Sequence, residues 1–303
     1  MTDVELPVDE SARVLAICQQ LGIPGLVDIH THFMPQNVLT KVWDYFDTAE
    51  EHMGYAWPIA YRFDQDQRLQ QLRDLGVRRF TSLLYPHKPD MAAWLNQWAH
   101  EFAEATPDCA RTGTFYPEKS AADYVAENIA AGVEVLKAHV QVGAYDPLDP
   151  LLDPVWGQIA DAGVPVVIHA GSRPVPGPFT GADPIAELMR RHPQLPLVIA
   201  HLGMPEYGSF FDLAEQFPNV HLDTCMAFTP YVEERIAPLP REARSRLADL
   251  GDKIVLGSDF PNIPYPYVEQ IDALVNLDLG DTWLRKVLWE NGQRLIGPAG
   301  GRS

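Results

Sequence analysis

Cysteine is scarce in this chain and is spread too widely to form a structural framework. The 303 residues contain three cysteines, Cys18, Cys109 and Cys225, and no CxxC pair. An odd number of distant thiols argues against a disulfide scaffold and against a cysteine-based structural zinc site. We therefore expect reduced thiols. A nucleophilic role for Cys225 is disfavoured because no base partner is evident for it.

Basic side chains are also few. Lysine and arginine total 23 against 41 aspartates and glutamates, which gives a formal net charge of -18. A surface this acidic repels phosphate backbones and anionic membranes, so we expect no nucleic-acid partner and no membrane association. The first ten residues lack the basic and apolar stretches of a signal peptide, and no apolar run is long enough to span a bilayer. The sequence therefore predicts a soluble, cytoplasmic protein.

Glycine-rich phosphate turns are missing as well. Neither GxGxxG nor GxxxxGK[ST] follows an early strand, which disfavours a doubly wound nucleotide-binding sheet. What is present is a regular alternation of apolar strand-like runs and helical stretches, with eight strand-like runs counted from Val27. Alternating units of this kind imply parallel strands, and eight of them imply a closed (β/α)8 TIM barrel. We predict one barrel domain over residues 1–303.

The individual elements follow from apolar periodicity and from glycine and proline positions. The predicted strands after the first cover 79–85, 110–116, 133–140, 164–169, 195–201, 220–224 and 253–258. The predicted helices cover 11–21, 68–75, 91–105, 121–131, 151–162, 184–191, 207–217, 233–250, 267–275 and 282–295.

An aromatic stretch at 36–66 is long for a plain loop between a strand and a helix. It forms either a lid-like insertion over the site or ordinary packing under a loop, and we favour the lid.

The stretch Val27-Asp-Ile-His-Thr-His32 predicts a short buried strand that carries two imidazoles in His-x-His spacing. Side chains alternate along a strand, so His30 and His32 face the same way. They lie at the carboxyl end of the strand, where parallel α/β folds place their chemistry. Two imidazoles held together in this way supply half of a zinc-type site.

Polar residues end several of the other predicted strands, as a catalytic barrel requires. The fourth strand ends with Lys137 and His139, the fifth with His169, the sixth with His201 and the eighth with Asp259. A single histidine at such a position is usually an ordinary core or loop residue. Several at equivalent ends of one barrel converge on its axis, which favours a shared site.

His30, His32 and His169 can supply three nitrogen ligands and Asp259 one carboxylate oxygen to a single divalent metal ion. Histidine and carboxylate ligation suits Zn²⁺, with Mn²⁺, Fe²⁺ and Co²⁺ as alternatives. Such an ion lowers the pKa of a bound water, and Asp259 is placed to hold that water and take its proton. A turn-capping role for Asp259 before Pro261 is the alternative interpretation.

The remaining polar residues are candidates for substrate contacts. His201 is free to polarise a substrate carbonyl or to shuttle a proton. Lys137 can bind a substrate carboxylate, carry a carbamate that bridges two metals, or simply line the barrel with an acidic partner. Arg173 is either an anion clamp or a solvated loop residue. The pocket is also expected to be lined by His139, Tyr85 and His87.

Taken in order, these motifs resemble the amidohydrolase superfamily, in particular the amidohydrolase-related branch that includes enzymes similar to aminocarboxymuconate-semialdehyde decarboxylase. The resemblance is carried by seven motifs between residues 26 and 297: Asp28-Ile-His-Thr-His32, Leu136-Lys-Ala-His139, Val167-Ile-His169, Ile199-Ala-His201-Leu-Gly, Leu222-Asp-Thr224, Gly257-Ser-Asp259-Phe-Pro and Glu290-Asn291-Gly-Gln-Arg-Leu-Ile-Gly297. It departs at Val140, where the family's usual Lys-x-His-Pro has proline.

The resemblance implies a (β/α)8 barrel with one divalent metal on His30, His32, His169 and Asp259 and with His201 as the catalytic histidine. It also suggests a homodimer. We expect a hydrolase of a small amide, ester or lactone that acts through a metal-activated water. The first alternative is a nonoxidative decarboxylase of a small aromatic or enol acid, and the second is a barrel that binds a ligand without catalysis.

Overall fold

The computed structural model describes residues 6–7 and 9–297 and has the predicted (β/α)8 architecture. All eight predicted strands are present within that part of the chain, although each is short and runs parallel to its neighbours. The strands are β1 Leu26–Asp28, β2 Val77–Phe80, β3 Thr112–Thr114, β4 Val135–His139, β5 Val166–His169, β6 Leu197–Ile199, β7 Val220–Asp223 and β8 Ile254–Val255.

Two backbone junctions join the pair β1–β2 to the six-stranded sheet β3–β8 and complete the ring. At the first junction the Ala110 amide donates to the Phe80 carbonyl at 2.7 Å. At the second junction the Ile29 amide donates to the Leu256 carbonyl at 2.9 Å, and Thr31 forms a parallel bridge with Phe260. The carboxyl ends of β1 and β8 are therefore neighbours, which brings the His-x-His motif next to Asp259.

Helices follow the strands on the outside of the barrel. They are α1 Glu10–Leu21, α2 Gln36–Asp47, α3 Ala49–Met53, α4 Gln65–Asp74, α5 Ala92–Ala105, α6 Ala121–Ala130, α7 Val140–Gly143, α8 Asp153–Ala162, α9 Ala182–Arg191, α10 Tyr207–Gln216, α11 Pro230–Arg235, α12 Arg241–Arg244, α13 Tyr267–Val275, α14 Asp281–Arg285 and α15 Asn291–Ile296. No helix among the described residues is long and apolar enough to cross a membrane.

One predicted helix is wrong. The continuous helix expected over 233–250 is instead two short helices, α11 and α12, with a non-helical stretch between them. Pro238 and Pro240 lie in that stretch, and proline cannot donate the backbone hydrogen bond that a continuous helix needs. The helix expected over 282–295 is interrupted as well, because a π-helical turn at Lys286–Glu290 separates α14 from α15.

The alternation of side chains along β4 and β5 separates the site from the core. Val135 and Val167 belong to a small apolar cluster, whereas Leu136, Val166 and Ile168 pack in the larger core. Neighbouring positions on a strand face opposite sides of a sheet. The small cluster therefore fills the barrel interior, and the polar residues two positions further along the same strands emerge above it.

The buried carboxylate of Glu10 connects four separate parts of the chain. Its side chain, 3% exposed at the start of α1, accepts hydrogen bonds from the Tyr61 hydroxyl at 2.6 Å, the Val268 amide at 3.0 Å and the Gln71 side-chain amide at 3.2 Å. Removing the carboxylate would leave these donors buried and unpaired, which is costly.

We expect Glu10→Ala to lower the free energy of unfolding by about 3 kcal/mol, measured by urea denaturation. The matched control is Glu127→Ala on α6, whose exposed side chain should change stability by less than about 0.5 kcal/mol. Equal effects of the two substitutions would contradict the structural role of Glu10.

Candidate metal centre

A cavity of about 1070 Å³ opens at the carboxyl ends of the strands. Every site residue expected from the sequence contributes to its lining. These residues are His30, His32, Tyr85, His87, Lys137, His139, His169, Arg173, His201 and Asp259. They lie on β4 and β5 or on the loops that follow β1, β2, β5, β6 and β8, so the parallel order of the barrel is what gathers them.

The two rings of the His-x-His motif are each held by an acceptor behind them. His30 donates from Nδ1 to the Asp223 carboxylate at 2.8 Å, and His32 donates from Nδ1 to the Leu83 carbonyl at 2.7 Å. A carbonyl can only accept, so Nδ1 of His32 carries the proton. In both rings Nε2 is left to face Asp259.

His169, the last residue of β5, and His201, which follows β6, are held in the same manner. His169 donates from Nε2 to the Arg173 carbonyl at 2.7 Å, and His201 donates from Nδ1 to the Cys225 carbonyl at 3.3 Å. Burial lowers the pKa of His30, His169 and His201, so these rings are neutral. In each of these neutral rings one nitrogen carries the proton and donates it to the acceptor behind the ring. The other nitrogen therefore keeps a lone pair.

Asp259 brings a negative charge to these rings. Its Oδ1 lies 2.6 Å from His32 Nε2 and 3.7 Å from His30 Nε2. Burial acts to raise the pKa of Asp259, but the close interaction with the His32 ring outweighs burial and holds that pKa well below its usual range. The backbone of Asp259 is left-handed, with φ 69°, a conformation that is uncommon for a residue other than glycine and that often marks functional sites.

The donor set fits a divalent metal ion. Within the described residues, the ligand atoms of His30, His32 and Asp259 lie within 4.8 Å of one another. Nitrogen lone pairs and a carboxylate oxygen turned toward one point repel each other unless a cation or a proton lies between them. In metal-binding histidines, the ring nitrogen that faces away from the metal is also typically held by a hydrogen bond, as it is here.

The fourth ligand expected from the sequence, His169, is not part of this compact group. Its ring lies 4.8 Å from the His201 ring and stacks on His139 at 4.2 Å between centroids. The bond from its Nε2 to the Arg173 carbonyl means that only Nδ1 could serve as a ligand. The structure therefore brings three of the four expected ligands into a tight cluster and leaves His169 at its edge.

A second cluster of possible ligand atoms, which sequence reasoning missed, joins Cys225 to His30 and His201, again within 4.8 Å. Burial raises the pKa of the Cys225 thiol well above its usual value, so the group is a neutral thiol. This is consistent with the expectation that Cys225 is not a nucleophile, since the reactive form of cysteine is the thiolate.

Asp223 is the residue whose importance the strand pattern alone did not reveal. One of its carboxylate oxygens accepts from His30 Nδ1, and the other accepts from the backbone amides of His201 at 2.7 Å and Cys225 at 3.1 Å. Burial raises its pKa to about 6. A fully buried aspartate at the end of an apolar strand was the available signal, because such a charge needs specific partners.

Gly257 is required because the chain just after β8 passes close to His30 and Asp223. A Cβ at this position would lie 2.8 Å from the His30 Cβ and 3.1 Å from the Asp223 Cγ. Even an alanine would therefore push against both members of the His30–Asp223 pair.

Lys137 is buried beside the histidines. Its Nζ lies 3.4 Å from His30 Nε2, and its side chain makes no ion pair within the described residues. Burial lowers its pKa to about 8, and the carboxylates of Asp223 and Asp259 oppose that shift. Lys137 is thus an ammonium group in the floor of the cavity without an acidic partner in contact.

The outer wall of the cavity is formed by the remaining expected residues and by the aromatic segment. The Tyr85 ring lies 4.6 Å from the His139 ring, and His87 is exposed at the mouth. Residues 36–66, which include α2 and α3, contribute mostly apolar side chains: Asn37, Val38, Lys41, Val42, Tyr45, Phe46, Met53, Tyr55 and Trp57.

Solved structures support the fold. An uncharacterized TIM-barrel protein from Bordetella bronchiseptica aligns with a TM-score of 0.73 at 19% identity, covering 91% of this chain and 99% of that one. A probable 2-pyrone-4,6-dicarboxylic acid hydrolase from Acinetobacter baumannii, with citric acid bound, aligns at 0.62 and 15% identity over 90% and 99%. A 5-carboxyvanillate decarboxylase from Novosphingobium aromaticivorans, with manganese and a nitrobenzoic acid bound, aligns at 0.63 and 14% identity over 91% and 98%.

At these identities the likeness establishes the barrel only. Among curated proteins, none matches the sequence. The family model described as Amidohydrolase, by contrast, matches residues 27–297, a range that includes every candidate ligand. Members of that family are metal-dependent enzymes and include hydrolases and decarboxylases. The chain therefore belongs to the amidohydrolase family.

Proposed function

We propose that this protein is a metal-dependent hydrolase of a small carbonyl substrate, an amide, an ester or a lactone. The observation that carries the proposal is the pair of proton acceptors beside the ligand cluster, the ionised carboxylate of Asp259 and the unprotonated nitrogen of His201. Hydrolysis requires a group that takes a proton from water, whereas decarboxylation requires a group that delivers one to carbon.

The residues that would hold the metal are His30, His32, His169 and Asp259. Zn²⁺ suits such a mixed set of nitrogen and oxygen ligands, with Mn²⁺, Fe²⁺ and Co²⁺ as alternatives. When bound, an ion of this kind supplies Lewis-acid activation of water and of a carbonyl group at neutral pH.

The side chains around the ion then handle the protons. Asp259 accepts a hydrogen bond from the attacking water, orients it and takes its proton. His201, whose Nδ1 is engaged with the Cys225 carbonyl, offers Nε2 as the acceptor that passes this proton to the leaving group. The neutral ring cannot donate from Nε2 to a substrate carbonyl, so this tautomer favours proton transfer over carbonyl polarisation.

The substrate lies, in this proposal, between the metal site and the aromatic segment. Lys137 and Arg173 provide positive charge. Further side-chain contacts come from Tyr85, His87 and His139. Residues 36–66 cover the cavity as a lid-like insertion. Enclosure of this kind excludes bulk water and strengthens electrostatic interactions with the reacting group.

A decarboxylase is the second candidate, and one observation favours it. Lys137 is a buried ammonium group 3.4 Å from His30 Nε2, and its pKa of about 8 makes it able to give up a proton near neutral pH. A substrate carboxylic acid held by Arg173 could receive that proton at carbon after losing carbon dioxide.

Product analysis separates the two reactions. The purified protein, loaded with metal, is incubated in isotopically labelled water with a panel of lactones, esters and amides and a panel of aromatic acids. We expect products that have gained one labelled oxygen, detected by mass spectrometry, and that disappear when the metal is removed with a chelator. Release of carbon dioxide without oxygen incorporation would instead establish the decarboxylase, and no turnover of either panel would contradict both.

A further inference from the structure

Asp28 is a buried carboxylate at the end of β1 to which the proposed reaction gives no role. Its Oδ1 accepts hydrogen bonds from the backbone amides of His30 and Ser258, each at 3.1 Å. Its Oδ2 accepts from the Tyr267 hydroxyl at 2.9 Å. A buried carboxylate is tolerated only with specific partners, and these three donors supply them. Because Asp28 is fully buried, it can act on the site only through the residues that it holds.

The two amides bound by Oδ1 belong to the two segments that carry the compact ligand cluster. His30 is itself a candidate ligand, and Ser258 directly precedes Asp259. Both amides lie beyond the hydrogen-bonded part of their strands, since β1 ends at Asp28 and β8 ends at Val255. One carboxylate oxygen therefore joins the turns after β1 and β8 at the point where the strand ladder no longer holds them together.

The turn that carries Asp259 needs this support. Its backbone is left-handed at Asp259, with φ 69°, a conformation that persists in a residue other than glycine only where the surroundings hold it. The Asp259 amide donates to the His30 carbonyl at 2.8 Å, and the Phe260 amide donates to the Ser258 hydroxyl oxygen at 3.0 Å. The bond from the Ser258 amide to Asp28 fixes the residue just before the left-handed position, and with it the direction in which the Asp259 carboxylate leaves the backbone.

The other oxygen of Asp28 is held from the helical layer. Tyr267, fully buried at the start of α13, donates its hydroxyl to this oxygen. The Tyr267 amide in turn donates to the Tyr61 hydroxyl at 2.6 Å, and that hydroxyl donates to the Glu10 carboxylate at 2.6 Å. Donors from three separate parts of the chain therefore hold the Asp28 carboxylate in one orientation.

We propose that Asp28 is a positioning residue of the metal centre, which sets the spacing of His30 and Asp259 through their backbones. The inference rests on the proposed function only for a metal ion at these ligands and not for the reaction. Binding is tighter when the ligands already have the geometry that the ion requires, because no free energy is then spent on rearranging them. Without the shared acceptor, the His30 and Ser258 amides would be buried and unpaired, so both turns would shift to find other partners.

Titration of the metal-free protein with Co²⁺ tests this inference without reference to turnover. Co²⁺ suits the same nitrogen and oxygen ligands as Zn²⁺, and its visible absorption spectrum depends on their geometry. Asp28→Ala should weaken Co²⁺ binding by about tenfold to a hundredfold and change the spectrum. Asp28→Asn keeps a side-chain carbonyl that accepts from both amides, so its affinity should stay within about threefold of the wild type, with an unchanged spectrum. The two variants separate the shared acceptor from the negative charge.

The matched control is Glu10→Ala. Glu10 is also a buried carboxylate that accepts three hydrogen bonds, and it belongs to the same path through Tyr61 and Tyr267, but its donors lie outside the ligand-bearing turns. Glu10→Ala should lower stability while its Co²⁺ affinity stays within about twofold of the wild type, with an unchanged spectrum. An equal loss of Co²⁺ affinity in Glu10→Ala and Asp28→Ala would show that general loosening is the cause and would overturn the proposal.

Asp28→Leu, which fills the space of the carboxylate without an acceptor, takes the place of Asp28→Ala if that variant does not fold. Failure of both to fold would assign Asp28 to folding alone and overturn the proposal, as would a loss of about tenfold or more in Asp28→Asn. Labelled-oxygen incorporation by the wild type would leave the hydrolase assignment standing in those events. A wild-type protein that does not bind Co²⁺ would instead contradict this inference and the proposed function together.

Discussion

Asp259→Asn is expected to lower kcat/KM about a thousandfold on any substrate that the wild-type protein turns over. Asp259 Oδ1 lies 2.6 Å from His32 Nε2, and its carboxylate remains ionised among the rings. Asparagine keeps the size of the side chain but removes the charge and the proton acceptor. Its amide nitrogen can also donate to Nε2 of His32, which occupies the lone pair that a metal requires.

Steady-state kinetics and the metal content of the purified variant, determined by mass spectrometry, check this prediction. Asp161→Asn on α8 is the matched control, because its carboxylate is exposed on the outer surface. The control should match the wild type in both measurements. Activity of Asp259→Asn within about threefold of the wild type would refute the role assigned to Asp259.

His201→Asn is expected to lower kcat by about a hundredfold to a thousandfold while KM and metal content change little. His201 has a left-handed backbone with φ 56°, a conformation that asparagine accepts more readily than most residues. The substitution therefore removes the imidazole without adding backbone strain. The backbone amide bond from His201 to Asp223 should persist, since it does not involve the side chain.

The pH profile of kcat separates a proton-transfer role from a positioning role. If Nε2 of His201 transfers protons, the variant should lose one limb of the wild-type profile as well as rate. His100→Asn on α5, where the side chain is partly exposed, serves as the control and should leave both the rate and the pH profile unchanged. Unchanged turnover in His201→Asn would count against the hydrolase and the decarboxylase alike. Loss of the metal together with the activity would instead assign His201 as a ligand.

The architecture was predictable because a repeating order of strand and helix permits very few folds. Eight parallel strands joined by right-handed crossovers place every strand's carboxyl end on one rim. Polar residues that end apolar runs, such as His169 and His201, must therefore meet there. This is why all ten expected residues line one cavity, although their individual roles remain predictions.

Element boundaries were less predictable. The strand-like runs are longer than the strands, and the expected helix over 233–250 is split at Pro238 and Pro240. Apolar periodicity reports burial, and buried residues continue into the turns beyond the hydrogen-bonded part of a strand. The left-handed backbone of Asp259 and His201 was not predictable either. Both residue types usually adopt right-handed or extended conformations, so the sequence does not indicate where a left-handed one occurs.

The chain's order of amino acids by itself determined the barrel, the rim on which chemistry is placed and the identity of the residues gathered there. Only the tertiary structure decided which nitrogen of each ring faces the centre, because the acceptors that orient His32 and His201 are the backbone carbonyls of Leu83 and Cys225. Tertiary structure also decided that the Asp223 carboxylate lies 2.8 Å from Nδ1 of His30. Every residue has a backbone carbonyl, so the sequence does not indicate which carbonyl will face a given ring. A contact between distant residues depends on the path that folding gives to the segments between them.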